Sequence, residues 1–240
     1  MTQNEEYQNQ ILDAIKELQT EGFSLVLCRG EDETIKGKLK KAKSPLVQTW
    51  SDKADQKLSQ AALSAIVCRY PYTKIAIGGI CGVASGNIEI IDIDPKHWDG
   101  IVVVFLVTLK QTYPELFAKL RIHRTPSGGL HIIYRCEEPI GEGSMKLAYK
   151  EGVKDAGIET RGQGAYFIMP PSIGYSVFQD MPIPVISRWE RDCLIQLARM
   201  FDERKKKVVI PSQKHYDRIY TENPFQHFNA SPEGSQVLIQ

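Results

Sequence analysis

Apolar positions first recur at helical spacing: Ile11, Leu12, Ile15 and Leu18 fall on one face and the pattern stops at Gly22, which predicts an amphipathic helix over residues 1–22. The period then changes. Residues 23–27 (FSLVL) form a short, continuous apolar run that reads as a buried strand. A polar stretch over 30–43, carrying Lys36, Lys38, Lys40, Lys41 and Lys43, reads as a loop that closes at Ser44-Pro45 and runs on to Trp50. A helix is predicted over 59–69, ending before Pro71, because the residue before a proline is pushed out of the helical region. The strongest strand signals are the β-branched runs at 75–77 and 88–94, separated by Gly78, Gly79, Gly82 and Gly86.

Beyond them, a helix over 99–111 and a short second one before Leu120 precede strands over 121–124, 130–135, 157–160 and 165–169. Pro182 and Pro184 mark a break. Ser187 then caps a helix whose Trp189, Cys193, Leu194, Leu197 and Phe201 form an apolar stripe ending in the basic run to Lys207. From Val208 onward the periodicity fades among Pro211, Pro224 and Pro232. The pattern therefore predicts a main domain over 1–185, a helix packed on it over 186–207, and a tail or linker over 208–240 that leads to a further domain in a longer parent protein. Helices mixed with neighbouring strands predict an α+β fold around a mixed sheet.

Composition changes this picture little. The chain has 240 residues, 42% hydrophobic and 25% charged, as in an ordinary soluble globular protein. No apolar run approaches the ~20 residues needed to span a bilayer, and the acidic, polar start lacks the basic and apolar regions of a signal peptide, so a cytoplasmic protein without a membrane partner is expected. The five cysteines, Cys28, Cys68, Cys81, Cys136 and Cys193, form no C-x-x-C or C-x-x-H pair, so no zinc is expected. A net charge of +1 provides no global basic field, though an acidic centre and a basic groove can cancel in that sum.

Three segments carry chemistry. In residues 87–96 (NIEIIDIDPK), alternation along a strand places Ile88, Ile90, Asp92 and Asp94 on one face. Two carboxylates so spaced lie roughly 7 Å apart and repel at the end of an apolar strand, a cost that a divalent cation would remove. A bare D-x-D is otherwise a strand end capping the turn at Pro95. In residues 125–135 (TPSGGLHIIYR), Ser127-Gly-Gly makes a tight turn whose amides suit an anion, and His131 enters the following strand able to donate to a phosphate oxygen; an isolated histidine is more commonly a core residue bonded to a carbonyl. In residues 157–172, Glu159 and Arg161 share a strand face, either as a third carboxylate and a phosphate-binding fork or as a local ion pair. Together the three describe a two-metal phosphoryl-transfer constellation.

The order Gly82-Val-x-Ser-Gly86, IIDID, TPSGGLHIIYR and IETRGQGAYFIMPPS resembles the bifunctional primase/polymerase domain of plasmid and phage replication proteins, within the archaeo-eukaryotic primase superfamily, over roughly residues 23–180. The resemblance implies a largely antiparallel sheet with an RRM-like half flanked by helices. It implies Asp92, Asp94 and Glu159 as catalytic ligands of two Mg²⁺ or Mn²⁺ ions, and His131 as a nucleotide-phosphate contact. Arg161 and Lys43, the latter in an early Lys-x-Pro…Trp element, join it around the triphosphate. Many members have serine two residues before the histidine; here that position is Gly129, and Ser127 lies four before. The activity implied is DNA primase and DNA polymerase, with (d)NTPs and a single-stranded template or primer–template as partners, in phage- or plasmid-encoded replication in a bacterial or archaeal host. Tyr134 and Tyr166 are candidates for stacking on template bases. The chain has no G-x-x-x-x-G-K-[ST] signature, so unwinding would fall to a helicase domain or protein. Two other classes fit parts of the pattern: a non-catalytic nucleic-acid-binding replication module, which the presence of all three acids disfavours, and a metal-dependent nuclease, which the Ser-Gly-Gly…His element disfavours.

Overall fold

The computed structural model describes residues 3–47, 57–70, 74–141 and 143–204. Trp50 and the tail from residue 205 lie outside them. The described elements are, in order, α1 (Gln3–Thr20), β1 (Leu25–Arg29), β2 (Glu33–Ile35), β3 (Lys38–Lys40), α2 (Gln60–Arg69), β4 (Ile75–Ile80), β5 (Ile88–Ile93), α3 (Ile101–Thr112), α4 (Pro114–Lys119), β6 (Arg121–Arg124), β7 (Leu130–Cys136), β8 (Lys146–Ala148), β9 (Ile158–Arg161), β10 (Tyr166–Met169), β11 (Ser176–Gln179), β12 (Val185–Ile186) and α5 (Arg188–Met200). The fold is α+β, as the periodicities predict. No helix among the described residues is long and apolar enough to cross a membrane.

The larger sheet runs β11-β6-β7-β5-β9-β8, and β12 pairs in parallel with the end of β7, past the residues that β6 covers; the remaining ladders are antiparallel. A smaller antiparallel sheet, β1-β4-β10, packs over part of one face. Strand β5 sits centrally and is apolar on both sides. Ile91 and Ile93 enter a core with Leu130, Ile132 and Ile158, covered by α3, α4 and α5. Ile88 and Ile90 enter the other core, with Ile133 and residues of α1, α2, β1 and β4. That two-sided burial is why the segment reads as a continuous apolar run rather than an alternation.

Glycine leaves room for side chains over the small sheet. A Cβ on Gly79 would lie 2.2 Å from the Met169 methyl carbon, so a larger residue there would push the end of that side chain aside. The ends of the predicted elements shift where pairing sets the bounds: β1 begins at Leu25 because Leu25–Arg29 pair with Gly79–Ile75. The lysine-rich stretch is not a plain loop. It folds as the hairpin β2–β3, with Lys36 (φ 49°) and Gly37 (φ 72°) supplying the two left-handed residues of a tight turn. Ser187 caps α5 with a reciprocal Glu190 contact, as its sequence suggests, but Trp189 is 68% exposed and stands outside the apolar stripe, edge-on to Tyr113.

Candidate active site

Strand register brings the chemistry together. Asp92 on β5 pairs with His131 on β7 on one side and with Glu159 on β9 on the other. His131 in turn pairs with His123 on β6, and Glu159 with Lys146 on β8. One row across five strands therefore reads His123, His131, Asp92, Glu159, Lys146, with neighbouring strands about 4.8 Å apart. Arg161, two residues past Glu159, reaches back over the row from the same face. Its Nη2 lies 3.1 Å and its Nε 3.3 Å from Asp92 Oδ2, and it also pairs with Glu159. Lys146 holds the other Glu159 oxygen.

Burial decides the protonation of this row. The Asp92 side chain is 18% exposed, and loss of water raises its pKa; the Arg161 guanidinium opposes that rise without cancelling it, and the Lys43 ammonium adds a smaller opposing pull. Arg161 shows the converse: burial disfavours its cation, but Asp92 and Glu159 outweigh burial and raise its pKa. His131 is pushed down to about 3, first by burial and then by the Lys43 and Arg161 cations, so it is a neutral imidazole. Its Nε2 lies 3.7 Å from Asp92 Oδ1, and its buried Nδ1 has no hydrogen-bond partner. Phe167 meets the ring edge-on at 5.4 Å between centroids, and Tyr175 lies over it at 6.0 Å.

Two cavities flank the acids. One, about 300 Å³, opens on the β7 side and is lined by Lys43, Asp92, His131, Arg161, Tyr166 and Tyr175 among others. Lys43 is held in a left-handed conformation (φ 65°), its N–H donating to the Arg29 carbonyl and its own carbonyl accepting from the Tyr166 hydroxyl, so that its Nζ lies 5.9 Å from the Tyr175 ring centroid. The other cavity, about 200 Å³, opens on the β8 side; Asp94, Lys96, Lys146 and Glu159 contribute to its wall. Asp94 is exposed and its Oδ1 accepts from the Lys96 backbone N–H.

The structure thus brings Asp92, Glu159, His131, Arg161 and Lys43 together, and puts Asp94 at the rim of the second cavity. Ser127 is exposed, bonded to the Thr125 hydroxyl, and outside both cavity linings. The glycine after its turn serves packing: a Cβ on Gly129 would lie 2.2 Å from the Ile93 carbonyl oxygen, so β7 can start beside the end of β5 only with glycine there. Tyr134 is no stacking surface. It is fully buried on the opposite face, its hydroxyl donating to Glu89 at 2.8 Å. Sequence reasoning missed Lys146, Tyr175 and His123. Tyr175 and Lys146 stand in short, irregular segments with no period to mark them, whereas His123 has the alternation of β6 as its signal.

The donor chemistry of Asp92, Asp94 and Glu159 suits a hard divalent cation, since all three offer carboxylate oxygens. Among the described residues, however, no three carboxylate, imidazole or thiol groups stand close enough to hold a metal ion as they are. Arg161 and Lys146 take the place of positive charge beside the two buried acids, and an ion would enter by displacing them.

A charged row on one sheet face, with a cavity on either side, defines an α+β protein built around a polar centre at the end of its central strand. The chain belongs to the family of bifunctional DNA primase/polymerase N-terminal domains, whose family model matches residues 16–189. Its function is accordingly of the DNA primase/polymerase type, nucleotidyl transfer in DNA replication. A comparison with curated proteins gives no match.

Proposed function

We propose that the chain performs template-directed transfer of nucleotides from (d)NTPs to a 3′-hydroxyl, with Asp92, Asp94 and Glu159 as ligands of two Mg²⁺ or Mn²⁺ ions, in the replication of a plasmid or phage. The observation that carries this reading is the register that sets Asp92 directly between His131 and Glu159. Bound there, the ions would lower the pKa of the attacking hydroxyl and stabilise the charge of the transferring phosphoryl group. The cavity on the β7 side takes the triphosphate. His131, neutral and therefore a donor through one ring nitrogen only, gives a hydrogen bond to a phosphate oxygen. Lys43 neutralises the phosphate charge from the cavity wall, and Arg161, released from Asp92 and Glu159, turns its planar fork to the same group. A helicase domain or protein would supply strand separation.

Primer synthesis and extension in Mg²⁺ or Mn²⁺ by the wild type and by Asp92→Ala/Asp94→Ala test the proposal. The double variant is expected to lose at least ~10²-fold in rate, the scale of one lost electrostatic stabiliser. Equal activity of the two would end it. Degradation of a labelled single strand without nucleotides would mark a nuclease instead.

A further inference from the structure

Helix α3 is apolar on every side. Residues 101–107 read Ile-Val-Val-Val-Phe-Leu-Val without a polar position, the pattern of a helix enclosed all round. Only one side is enclosed. Ile101, Phe105 and Leu109 enter the core beneath α3, whereas Val103, Val104 and Val107 on the opposite side remain 65%, 53% and 48% exposed. Helix α5 widens this surface. Phe201, at the end of α5, meets Phe105, and Trp189, at its start, meets Tyr113, so α5 runs antiparallel beside α3. Its Trp189 and Met200 are exposed as well. Apolar side chains gathered in this way, rather than scattered singly, mark a contact surface.

The charges at the two ends of the stripe say what it fits. Asp99, just before α3, and Lys110, in its last turn, are both exposed, and neither forms an ion pair among the described residues; Lys110 lies 6.0 Å from the Phe117 ring centroid instead. Along the chain, Asp99 and Lys110 are centred between Val104 and Phe105, and Val103 and Val107 are centred on Phe105. A two-fold axis at that point lays a second α3 antiparallel on the first. Val103 then meets Val107 of the second copy, and Asp99 meets Lys110 of the second copy, each pair occurring twice. A parallel contact would instead set Asp99 on Asp99 and Lys110 on Lys110. The antiparallel arrangement also opposes the two helix dipoles. The five exposed side chains present a few hundred Å² on each copy, so two copies bury on the order of the 1,000 Å² that a specific interface needs.

We propose that the chain forms a two-fold dimer through α3, with Val103 and Val107 at the centre, Asp99–Lys110 pairs at the ends, and Trp189 and Met200 on the flank. Asp92 alternates along β5 with Ile91 and Ile93, which face the α3 side, so the acid row of each copy looks away from the contact.

Sedimentation velocity of the full chain over a dilution series tests the dimer. The expected result is a mass of two chains at high concentration that falls to the 27.1 kDa of one on dilution. Val103→Glu/Val107→Glu is expected to sediment as a single chain throughout. Both positions are exposed and glutamate is the better helix former, so circular dichroism should show the helix content unchanged. Asp99→Lys alone, or Lys110→Glu alone, places like charges together and should raise the dissociation constant several-fold. Asp99→Lys/Lys110→Glu should return it to near the wild-type value, because the two-fold contact reverses both members of each pair at once. A single-chain mass for the wild type at every concentration overturns the proposal and leaves the stripe to a different partner. So do dimers that survive Val103→Glu/Val107→Glu, which put the contact elsewhere, and a charge swap without recovery, which excludes the antiparallel arrangement. Growth beyond two chains would show an open head-to-tail contact and overturn it equally.

Discussion

Asp92 is buried more deeply than a carboxylate tolerates without partners, and the surroundings do not fully compensate: its pKa stays raised despite Arg161. A group whose folded pKa exceeds its unfolded one stabilises at low pH and ceases to do so as pH rises through the folded value. Above the carboxyl's unfolded value, holding Asp92 in this site therefore costs stability. Asp92→Asn removes that cost while keeping the shape, so it is expected to melt no lower than the wild type at pH 7 and yet to lose at least ~10²-fold in nucleotide incorporation. Differential scanning fluorimetry beside an extension assay checks both. A clear drop in melting temperature would mean that the Arg161 contact, rather than burial, governs this residue. Arg161 and Lys146 supply the positive charge that meets Asp92 and Glu159 in the structure.

At the scale of elements, β5 joins the two sides of the molecule. Its upper face ends in Asp92, and its lower face carries Glu89, fully buried, which accepts from the Tyr134 hydroxyl and from two nitrogens of Arg191 on α5, at 2.6 and 2.9 Å. This buried, doubly hydrogen-bonded pair ties the central strand to α5. Removing one partner leaves an uncompensated charge in the core, so Arg191→Ala is expected to cost about 3–5 kcal/mol, read by urea unfolding. Arg191→Met, which keeps the volume, still strands Glu89, whereas Glu89→Gln/Arg191→Met should recover most of the loss, because an apolar or neutral replacement of both partners is well tolerated. Failure of that double variant to recover would show that Tyr134 depends on the carboxylate itself.

Over the molecule as a whole, two facing histidines in one buried row make the fold sensitive to acid. His123 and His131 are each held at about 3, burial being the main cause for both, against roughly 6.5 in the unfolded chain. Folded pKa values depressed in this way mean that the unfolded state binds more protons between the two values, so stability falls as pH drops from about 6.5 toward 3. Melting temperature is expected to decline steadily from pH 7 to pH 5, and His123→Gln, which does not titrate, to flatten that decline. A profile unchanged by the substitution would show that other groups set it.

The sequence by itself determined the class of elements and the faces of the strands. Continuous β-branched runs, glycine punctuation and the Ser187 cap depend only on local sterics and on period, and the alternation of IIDID and IETR is enough to say that Asp92 shares a face with Ile90, and Glu159 with Arg161. Which of these faces look at each other was decided only in three dimensions. Strands β5, β7 and β9 pair across separations of tens of residues, and nothing local says that residue 92 rather than 90 stands opposite 131 and 159. The short edge strand β8 and the Tyr175 segment carry little hydrophobic pattern, because they are shaped by what they pack against. Hence the row of five side chains and the two cavities beside it come from long-range register, which the burial of both faces of β5 enforces and which a local reading of the chain has no means to sense.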